Sequence, residues 1–376
     1  MVETGTDVGG AIAFSCSRDE LQSRIATVAR AVAARGAVQV LSGVLISGQE
    51  GSLQLAATDM ELSLRTGVSG VELDGDGALV VPGKLLVDMS RLLPGPEVTF
   101  RYRPEDGRAT ITSGPYTSNV NVFAAEDFPR LPSVDVPMHT IAAPALLDTI
   151  DRVARAASKD DSRPVLTGIL VRFEGSSLVM AATDSYRMAV KETALETPGP
   201  ELEAIIPARA LTELTRLAAG AETVEIGVHD NHVVFGVNDV WLTTRRIDGQ
   251  FPNHKQLIPD TFEAELDLPR AEFLEVVRRA GVMAQRNSPL RLRFAEGELT
   301  VQAQSQDVGE TRESLPAPYT GEPLEIGFNA EFLREGLESV PADTVKLRLI
   351  SPLRPGLLLA PEASFSYLIM PIRLAG

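Results

Sequence analysis

The sequence predicts an α+β protein built from three repeats of one domain, each with two helices packed on an antiparallel sheet. The first observation is the tetrapeptide AATD, which follows an apolar run at 56–59 and again at 181–184. The second is that the segments flanking these two copies also match, in the same order. The third is that patterns with helical spacing alternate with patterns typical of strands throughout the chain.

The repeat is carried by four matched blocks. VLSGVLI (40–46) matches VLTGILV (165–171) at the same offset as AATD, and Pro82 and Pro207 keep that offset. VFAAEDFPRLP (122–132) corresponds to RRIDGQFPNHKQLIP (245–259). A fainter third copy comprises PLRLRFAEGELTVQAQS (289–305), LEIGFNAEFL (324–333) and FSYLIMPIRL (365–374). We therefore predict an extension over 1–10, which we expect to be disordered, and domains over 11–135, 136–262 and 263–376.

Each repeat opens with an amphipathic helix. The apolar positions at helical spacing are Leu21, Ile25, Val28 and Val32 in the first repeat, Leu146, Ile150, Val153 and Ala157 in the second, and Phe273, Val277, Ala280 and Ala284 in the third. Second helices are predicted after Pro82, Pro207 and Asn329, which makes six. Between the helices, apolar and polar residues alternate and turn signals recur, as in antiparallel strands.

Composition narrows the class of protein. Hydrophobic content of 44% and charged content of 23% are typical of soluble globular proteins. Cys16 is the only cysteine, so no internal disulfide is possible and a reducing compartment is favoured. No basic and apolar leader and no membrane-spanning run is present, so we expect a cytoplasmic protein without membrane contact. The net charge of −16 argues against binding nucleic acid through general basicity.

The sequence indicates no catalytic residues, no cofactor and no metal site. PGK at 82–84 has no glycine at the required distance before it and no Ser or Thr after it, so it is not a phosphate-binding loop. GDG at 75–77 is typical of a hairpin. No GxSxG elbow is present, and the histidines are dispersed. Asp59 and Asp184 are interpreted as turn residues rather than an acid/base pair. An enzyme with an active site in one repeat is the weakest hypothesis.

Cationic residues recur on equivalent helices of this acidic chain. Any one of them could belong to a solvated helix face, and acidic residues such as Asp148, Asp151 and Glu275 are mixed in. Their recurrence nevertheless indicates a surface for a polyanion. The residues predicted to contact DNA are Arg24, Arg35, Arg152, Lys159, Arg163, Arg209 and Arg286.

Helix geometry favours two chains around one duplex. Six helices spaced at ~9–10 Å would enclose a circle of axes only ~18 Å across, and helix thickness takes ~10 Å of that. Twelve helices give ~36 Å between axes and ~25 Å of free space, enough for a duplex roughly 20 Å wide. We therefore expect a homodimer, also because open sheet edges at the ends of a three-domain chain favour pairing.

The chain resembles the bacterial DNA polymerase III beta subunit family, the sliding clamps. The resemblance rests on RPVLTGILVRF (163–173), AATDSYRMAV (181–190), RRIDGQFPNHKQLIP (245–259), LEIGFNAEFL (324–333) and YLIMPIRL (367–374). It implies three clamp domains that form half of a closed ring, which encircles duplex DNA without sequence preference. The implied partners are the DNA polymerase III alpha subunit, the clamp loader and other proteins with a clamp-binding motif.

The resemblance also implies a pocket for partner peptides containing Gln and Leu/Phe. Its residues are expected to be Leu166, Thr183, Ser185, Tyr186, Arg187, Met188, Pro252, Leu257, Leu368, Met370, Pro371, Ile372, Arg373 and Leu374. Arg187 and Arg373 are expected at the rim, to bind peptide carbonyls or carboxylates. Tyr186 stands where the family often has His, and Gln256 where it often has a basic residue. These two departures bear on which peptide the pocket prefers.

Two alternatives remain open at this point. A second clamp copy, kept for inhibitor resistance or repair, would have nearly the same sequence. A peptide-binding scaffold without a DNA role would share the pocket but would not be retained on DNA.

Overall fold

The structure is a computed structural model that describes residues 10–33, 38–284, 288–305 and 309–374. Most of the predicted extension over 1–10 therefore lies outside the described residues. The helices are α1 (Arg18–Val28), α2 (Gly83–Ser90), α3 (Ala143–Val153), α4 (Pro164–Thr167), α5 (Ala208–Leu217), α6 (His254–Leu257), α7 (Arg270–Gly281) and α8 (Ala330–Ser339). 

The strands follow the same order in each repeat. They are β1 (Ile12–Ser17), β2 (Gly43–Gln49), β3 (Ser52–Thr58), β4 (Leu62–Val68), β5 (Glu72–Asp74), β6 (Gly77–Pro82), β7 (Glu97–Arg103), β8 (Arg108–Ser113), β9 (Tyr116–Asn121), β10 (Met138–Ala142), β11 (Gly168–Glu174), β12 (Ser177–Thr183), β13 (Arg187–Ala194), β14 (Glu203–Pro207), β15 (Thr223–Val228), β16 (His232–Val237), β17 (Val240–Arg245), β18 (Ala264–Pro269), β19 (Leu290–Ala295), β20 (Glu298–Ser305), β21 (Gly309–Pro316), β22 (Leu324–Phe328), β23 (Thr344–Leu349), β24 (Gly356–Ala360) and β25 (Phe365–Ile369).

The threefold repeat of the α+β unit is confirmed. Each repeat runs strand, helix, three strands, single strand, helix, three strands, with β1, β10 and β18 as the opening strands. The six predicted helices are α1, α2, α3, α5, α7 and α8. The sequence did not predict the one-turn helices α4 and α6, nor the short strand β5, because segments of three or four residues carry too few positions for a period.

The predicted apolar helix faces are buried. The residues under 9% exposed are Leu21, Ile25 and Val28 on α1, Leu146, Ile150 and Val153 on α3, and Phe273, Val277 and Ala280 on α7. Each fully buried Val, Leu, Ile or Phe side chain contributes ~1.5–3 kcal/mol. The expected positions Val32 and Ala284 lie beyond the helix ends and are half-buried. Amphipathic packing on the sheets thus accounts for the helices.

The AATD motif of the second repeat is a hydrogen-bonded turn. Thr183 Oγ1 donates to the Arg187 carbonyl at 2.7 Å, and the Ser185 amide donates to Thr183 Oγ1 at 3.1 Å. Asp184 Oδ1 accepts from the amides of Tyr186 at 2.9 Å and Arg187 at 3.0 Å. Ser185 has a φ of 80°, a left-handed conformation that reverses the chain within the turn.

The first repeat builds the same turn with the same atoms. Asp59 Oδ1 accepts from the amides of Glu61 at 3.1 Å and Leu62 at 2.9 Å. Thr58 Oγ1 donates to the Leu62 carbonyl at 3.1 Å, and Met60 has a φ of 78°. The interpretation of both aspartates as turn residues is therefore confirmed.

One compact unit comprises the residues up to His139 together with Leu217–Arg245. One of its sheets has the order β5-β1-β7-β8-β9. In its other sheet, the seven strands within this unit run β15-β16-β17-β4-β3-β2-β6. The contact between β17 and β4 joins strands of the second repeat to the first, with Leu242 opposite Leu64.

The other compact unit comprises Thr140–Arg216 and Arg246–Gly376. Its sheets have the orders β14-β11-β12-β13-β25-β24-β23-β18 and β21-β20-β19-β22. Here β13 of the second repeat pairs antiparallel with β25 of the third, with Met188 opposite Leu368. This pairing brings the second AATD turn next to the end of the chain.

Candidate functional site

The candidate site lies in the second unit, where β13 and β25 meet. The Met370 amide donates to the Tyr186 carbonyl at 2.8 Å, so the chain leaving β25 lies against the AATD turn. Two residues later, the Ile372 amide donates to the Gly327 carbonyl at 2.8 Å. These bonds hold the C-terminal segment between the AATD turn of the second repeat and β22 of the third, and the β13–β25 pairing explains why the two distant segments come together.

An apolar row forms the floor of this junction. Thr183 lies opposite Met188, Met188 opposite Leu368, and Leu368 opposite Leu357, across four neighbouring strands. Met188, Leu357 and Leu368 are buried and form a cluster against which Ile258 packs. Ile258 directly follows α6, so this short helix flanks the apolar floor.

Large apolar side chains remain exposed around the floor. Tyr186 is 61% exposed, Leu257 49%, Met370 41% and Ile372 36%. Of the other expected pocket residues, Leu166, Pro252, Pro371 and Leu374 are half-buried, and Ser185 and Arg373 are exposed. Exposed aromatic and apolar residues beside a buried apolar floor are typical of a surface that takes a partner's side chains.

Arg187 lies elsewhere than expected. A rim guanidinium was predicted, but the residue is only 5% exposed. Its Nε donates to Asp184 Oδ2 at 3.0 Å, its Nη1 forms a close ion pair with Glu335, and the guanidinium lies 4.3 Å from the centre of the Phe332 ring. The rim prediction for Arg187 is therefore wrong, because two carboxylates and a ring hold the side chain beneath the turn.

Tyr367 completes this buried network. Arg187 Nη1 donates to the Tyr367 hydroxyl at 3.3 Å, and that hydroxyl donates to the Phe332 carbonyl at 3.0 Å. Burial raises the pKa of Tyr367, so its proton is retained. The network links β13, β25 and α8. The apolar run YLIM is visible in the sequence, but no local feature of the sequence indicates that Glu335 and Phe332 are partners of Arg187.

Arg163 also lies at this junction. Predicted as a DNA contact, it pairs with Asp160 at 3.1 Å and donates from Nη1 to Ser185 Oγ at 3.3 Å. Its amide and carbonyl belong to the turn that leads into α4, where Leu166 donates its amide to the Arg163 carbonyl at 2.9 Å. Arg163 therefore connects α4 to the AATD turn.

Of the other predicted DNA contacts, two are paired with carboxylates, two are exposed and two lie outside the described residues. Arg24 is partly buried and bonded to Glu20 at 2.9 Å and to Thr66 at 3.0 Å. Arg152 pairs with Asp148 at 2.9 Å. Lys159 and Arg209 are exposed. Arg35 and Arg286 lie outside the described residues.

Helices of the second unit bring further arginines together. Arg155, Arg278 and Arg334 all pair with Glu338 on α8. Arg155 lies just after the first helix of the second repeat and Arg278 lies on the first helix of the third, whereas Arg334 and Glu338 carried no signal in the sequence beyond ordinary helix charge.

None of the helices in the described ranges is long and apolar enough to cross a membrane. No group of three or more His, Cys, Asp or Glu side chains in the described parts of the chain could hold a metal ion.

The buried network gives a stability prediction. Replacing Arg187 by Met should lower the free energy of unfolding by about 3–5 kcal/mol, because the change leaves the Asp184 and Glu335 carboxylates without their shared cation. Thermal unfolding at one protein concentration measures this. Arg373→Ala, an exposed arginine at the same junction, should change stability by no more than about 0.5 kcal/mol. Equal stability of Arg187→Met and the parent protein would contradict the network's role.

Comparison with known proteins identifies the family. Sequence models of the DNA polymerase III beta subunit match three consecutive stretches of the chain. The N-terminal domain matches residues 12–132, the central domain residues 140–253, and the C-terminal domain residues 255–373.

Curated relatives and solved structures agree. The beta sliding clamp of Synechococcus elongatus is 35% identical, and that of Streptomyces coelicolor is 33% identical, each over 96% of this chain and 98% of the relative. The crystal structure of the C. crescentus beta sliding clamp superposes with a TM-score of 0.91 at 27% identity, covering 97% of this chain and 100% of that one. The chain belongs to the DNA polymerase III beta subunit family, the beta sliding clamps.

Proposed function

We propose that this protein is a DNA sliding clamp, a homodimeric ring that encircles duplex DNA and tethers the replicative polymerase. It acts without catalysis, as a processivity factor for the DNA polymerase III alpha subunit. The clamp loader and other proteins with a clamp-binding motif bind at the β13–β25 junction. The observation that carries the proposal is the strand pairing between successive repeats.

That pairing follows one rule. Strand β4, the third of the three strands that follow the first helix of repeat one, pairs with β17, the last strand of repeat two. In the same way β13 of repeat two pairs with β25 of repeat three. The corresponding strands that remain are β21 and β9, and among the described strands each lies at the end of its sheet. A second copy of the chain satisfies the rule if its β9 pairs with β21, and two such junctions close a head-to-tail dimer.

The rule also predicts a register for the junction between the two chains. Ala189 lies opposite Tyr367 at the β13–β25 junction. Counting across the paired strands from the start of the second helix of each repeat makes Thr311 the equivalent of Ala189 in the third repeat. Counting in the same way from the start of the first helix makes Ser118 the equivalent of Tyr367 in the first repeat. Thr311 of one chain should therefore lie opposite Ser118 of the second chain.

The register can be tested by disulfide cross-linking. A Thr311→Cys, Ser118→Cys variant should form covalent dimers on oxidation, because directly opposite residues meet the Cα separation of a disulfide. Burial, with Glu20 and Glu97, raises the pKa of Cys16 to about 11, so the native thiol stays protonated and unreactive. Non-reducing electrophoresis gives the yield.

The matched control moves one cysteine by a single position. Thr311→Cys with Thr117→Cys should cross-link poorly, since neighbouring side chains on a strand point to opposite faces. Stronger cross-linking by the Thr117 pair, or none by either pair, would refute the proposed junction.

Retention on DNA tests the function itself. Clamps placed by the clamp loader on nicked circular duplex should stay bound through gel filtration and be lost when the circle is cut, because a ring holds DNA by topology. Lys159→Ala with Arg209→Ala should weaken binding to short linear duplex and reduce its salt dependence, with a log–log slope shallower by about 0.9 per lost phosphate contact. Lys346→Ala with Arg348→Ala, both on strand β23, serves as the charge-matched control.

Equal loss from circular and linear DNA would reject the ring. A scaffold without a DNA role would give that result while it still bound peptides.

Truncation tests the partner site. Removing residues 370–376 should abolish binding of a Gln-x-x-Leu-Phe-type peptide in calorimetry, since Met370 and Ile372 are lost and each buried anchor contributes on the order of 1.5–3 kcal/mol. Strand β25 ends at Ile369, so the sheet is kept and the dimer should persist. Leu353→Ala, an exposed apolar position elsewhere in the same unit, should leave peptide affinity unchanged. Unchanged binding by the truncated protein would show that the site lies elsewhere.

A further inference from the structure

Glu338 sits at the centre of a cationic cluster on three helical segments. It lies in the last turn of α8, and its side chain is only 15% exposed. Arg278 Nη2 donates to its Oε1 at 3.0 Å, Arg334 Nη1 donates to the same oxygen at 3.0 Å, and Arg155 forms a close ion pair with Oε2. One carboxylate therefore gathers guanidinium groups from α7, from α8 and from the turn that follows α3.

The guanidinium groups face solvent while the carboxylate does not. The side chains of Arg155, Arg278 and Arg334 are 48%, 46% and 37% exposed. Each guanidinium has five N–H donors in a fixed plane, and Glu338 engages a single nitrogen of each. A phosphate on the solvent side can therefore reach these arginines, whereas Glu338 approaches them from within the helix layer.

The charge of this cluster is nearly balanced. Arg278 also pairs with Glu275 at 2.7 Å and Arg334 with Glu335 at 3.8 Å, so three carboxylates contact the three cations. The neighbouring pair of Arg152 and Asp148 is neutral. Burial acts to raise the pKa of Glu338, but hydrogen bonds from Arg278 and Arg155 outweigh it and lower the pKa below the usual range. Glu338 is therefore ionised at neutral pH.

We infer that Glu338 is a built-in competitor for DNA phosphate, which holds Arg155, Arg278 and Arg334 in place and limits how tightly they bind the duplex backbone. This inference rests on the proposed clamp function and assigns the cluster a role in it. Tight phosphate contacts would retard movement along DNA, while a ring needs no tight contact to stay bound. Phosphate needs only the outward guanidinium nitrogens, so Glu338 stays paired behind them and its negative charge weakens the attraction of each arginine for the backbone.

Removal of the competing charge is the test. Glu338→Gln keeps the shape of the side chain and makes the net charge of the cluster more positive by one. Affinity for short linear duplex, measured by fluorescence anisotropy, should increase about threefold to tenfold at low salt, with a log–log salt slope steeper by about 0.9 for one added phosphate contact. Adding Arg155→Gln to this variant should remove most of the gain.

Glu265→Gln is the matched control. Glu265 on β18 accepts from Lys346 at 2.8 Å and from Arg348 at 2.6 Å, so this variant also removes one carboxylate from between two cations, on a sheet instead of a helix face. Its affinity for duplex should stay within twofold of the parent protein, on the general expectation that a distant screened charge acts weakly. An equal gain in both variants, or no gain in Glu338→Gln, overturns the inference.

Two readouts keep the outcomes separate. If Glu338→Gln lowers the thermal midpoint enough to perturb folding, Arg155→Gln alone tests the cluster with the opposite sign and should weaken duplex binding about threefold. Retention of the parent protein on circular DNA reports the clamp function independently. Retention with no change of affinity in any cluster variant rejects the role of Glu338 alone, whereas loss of retention in the parent protein rejects the clamp.

Discussion

The pairing of β13 with β25 is the interaction on which the second unit depends. These strands belong to different repeats, yet they form the centre of one eight-stranded sheet. The pairing sets Met188 opposite Leu368 and places the end of the chain against the AATD turn. Every feature of the candidate site follows from that register, because a shift of one residue would turn Met188 and Leu368 away from the apolar floor.

The two AATD turns illustrate how one local solution is adapted to different surroundings. The bonds that the side chains of Thr58 and Asp59 make to the backbone are repeated, atom for atom, by Thr183 and Asp184. The residue that closes the turn differs, being Leu62 in the first repeat and Arg187 in the second. At Arg187 the turn aspartate gains a second task, since its other oxygen pairs with the guanidinium. The second turn is thereby fixed to α8 as well as to its own strands.

Sequence reasoning reached the repeats and their helices, because periodicity and internal similarity are local properties. It also named, through the resemblance of YLIMPIRL and AATDSYRM to a family, two segments that the structure brings together at the candidate site. It placed Arg187 wrongly because burial of an arginine is decided by partners far along the chain, here Glu335 and Tyr367. Strand sharing between repeats was missed for the same reason: nothing in β13 specifies whether its neighbour comes from its own repeat.

Shared strands also impose an order on how the protein matures during synthesis. Arg187 and Tyr367 are 180 positions apart, so β13 remains an unpaired edge until the C-terminus has left the ribosome. At typical elongation rates this interval lasts roughly 10 to 40 s. The same holds for β4, which waits for β17. Each of the first two repeats therefore completes its sheet only after the following repeat has been synthesised. Strand pairing across such a sequence separation is intrinsically slow. The nascent chain must pass through states with exposed sheet edges, which are the states where chaperones and premature association of two unfinished chains compete with folding.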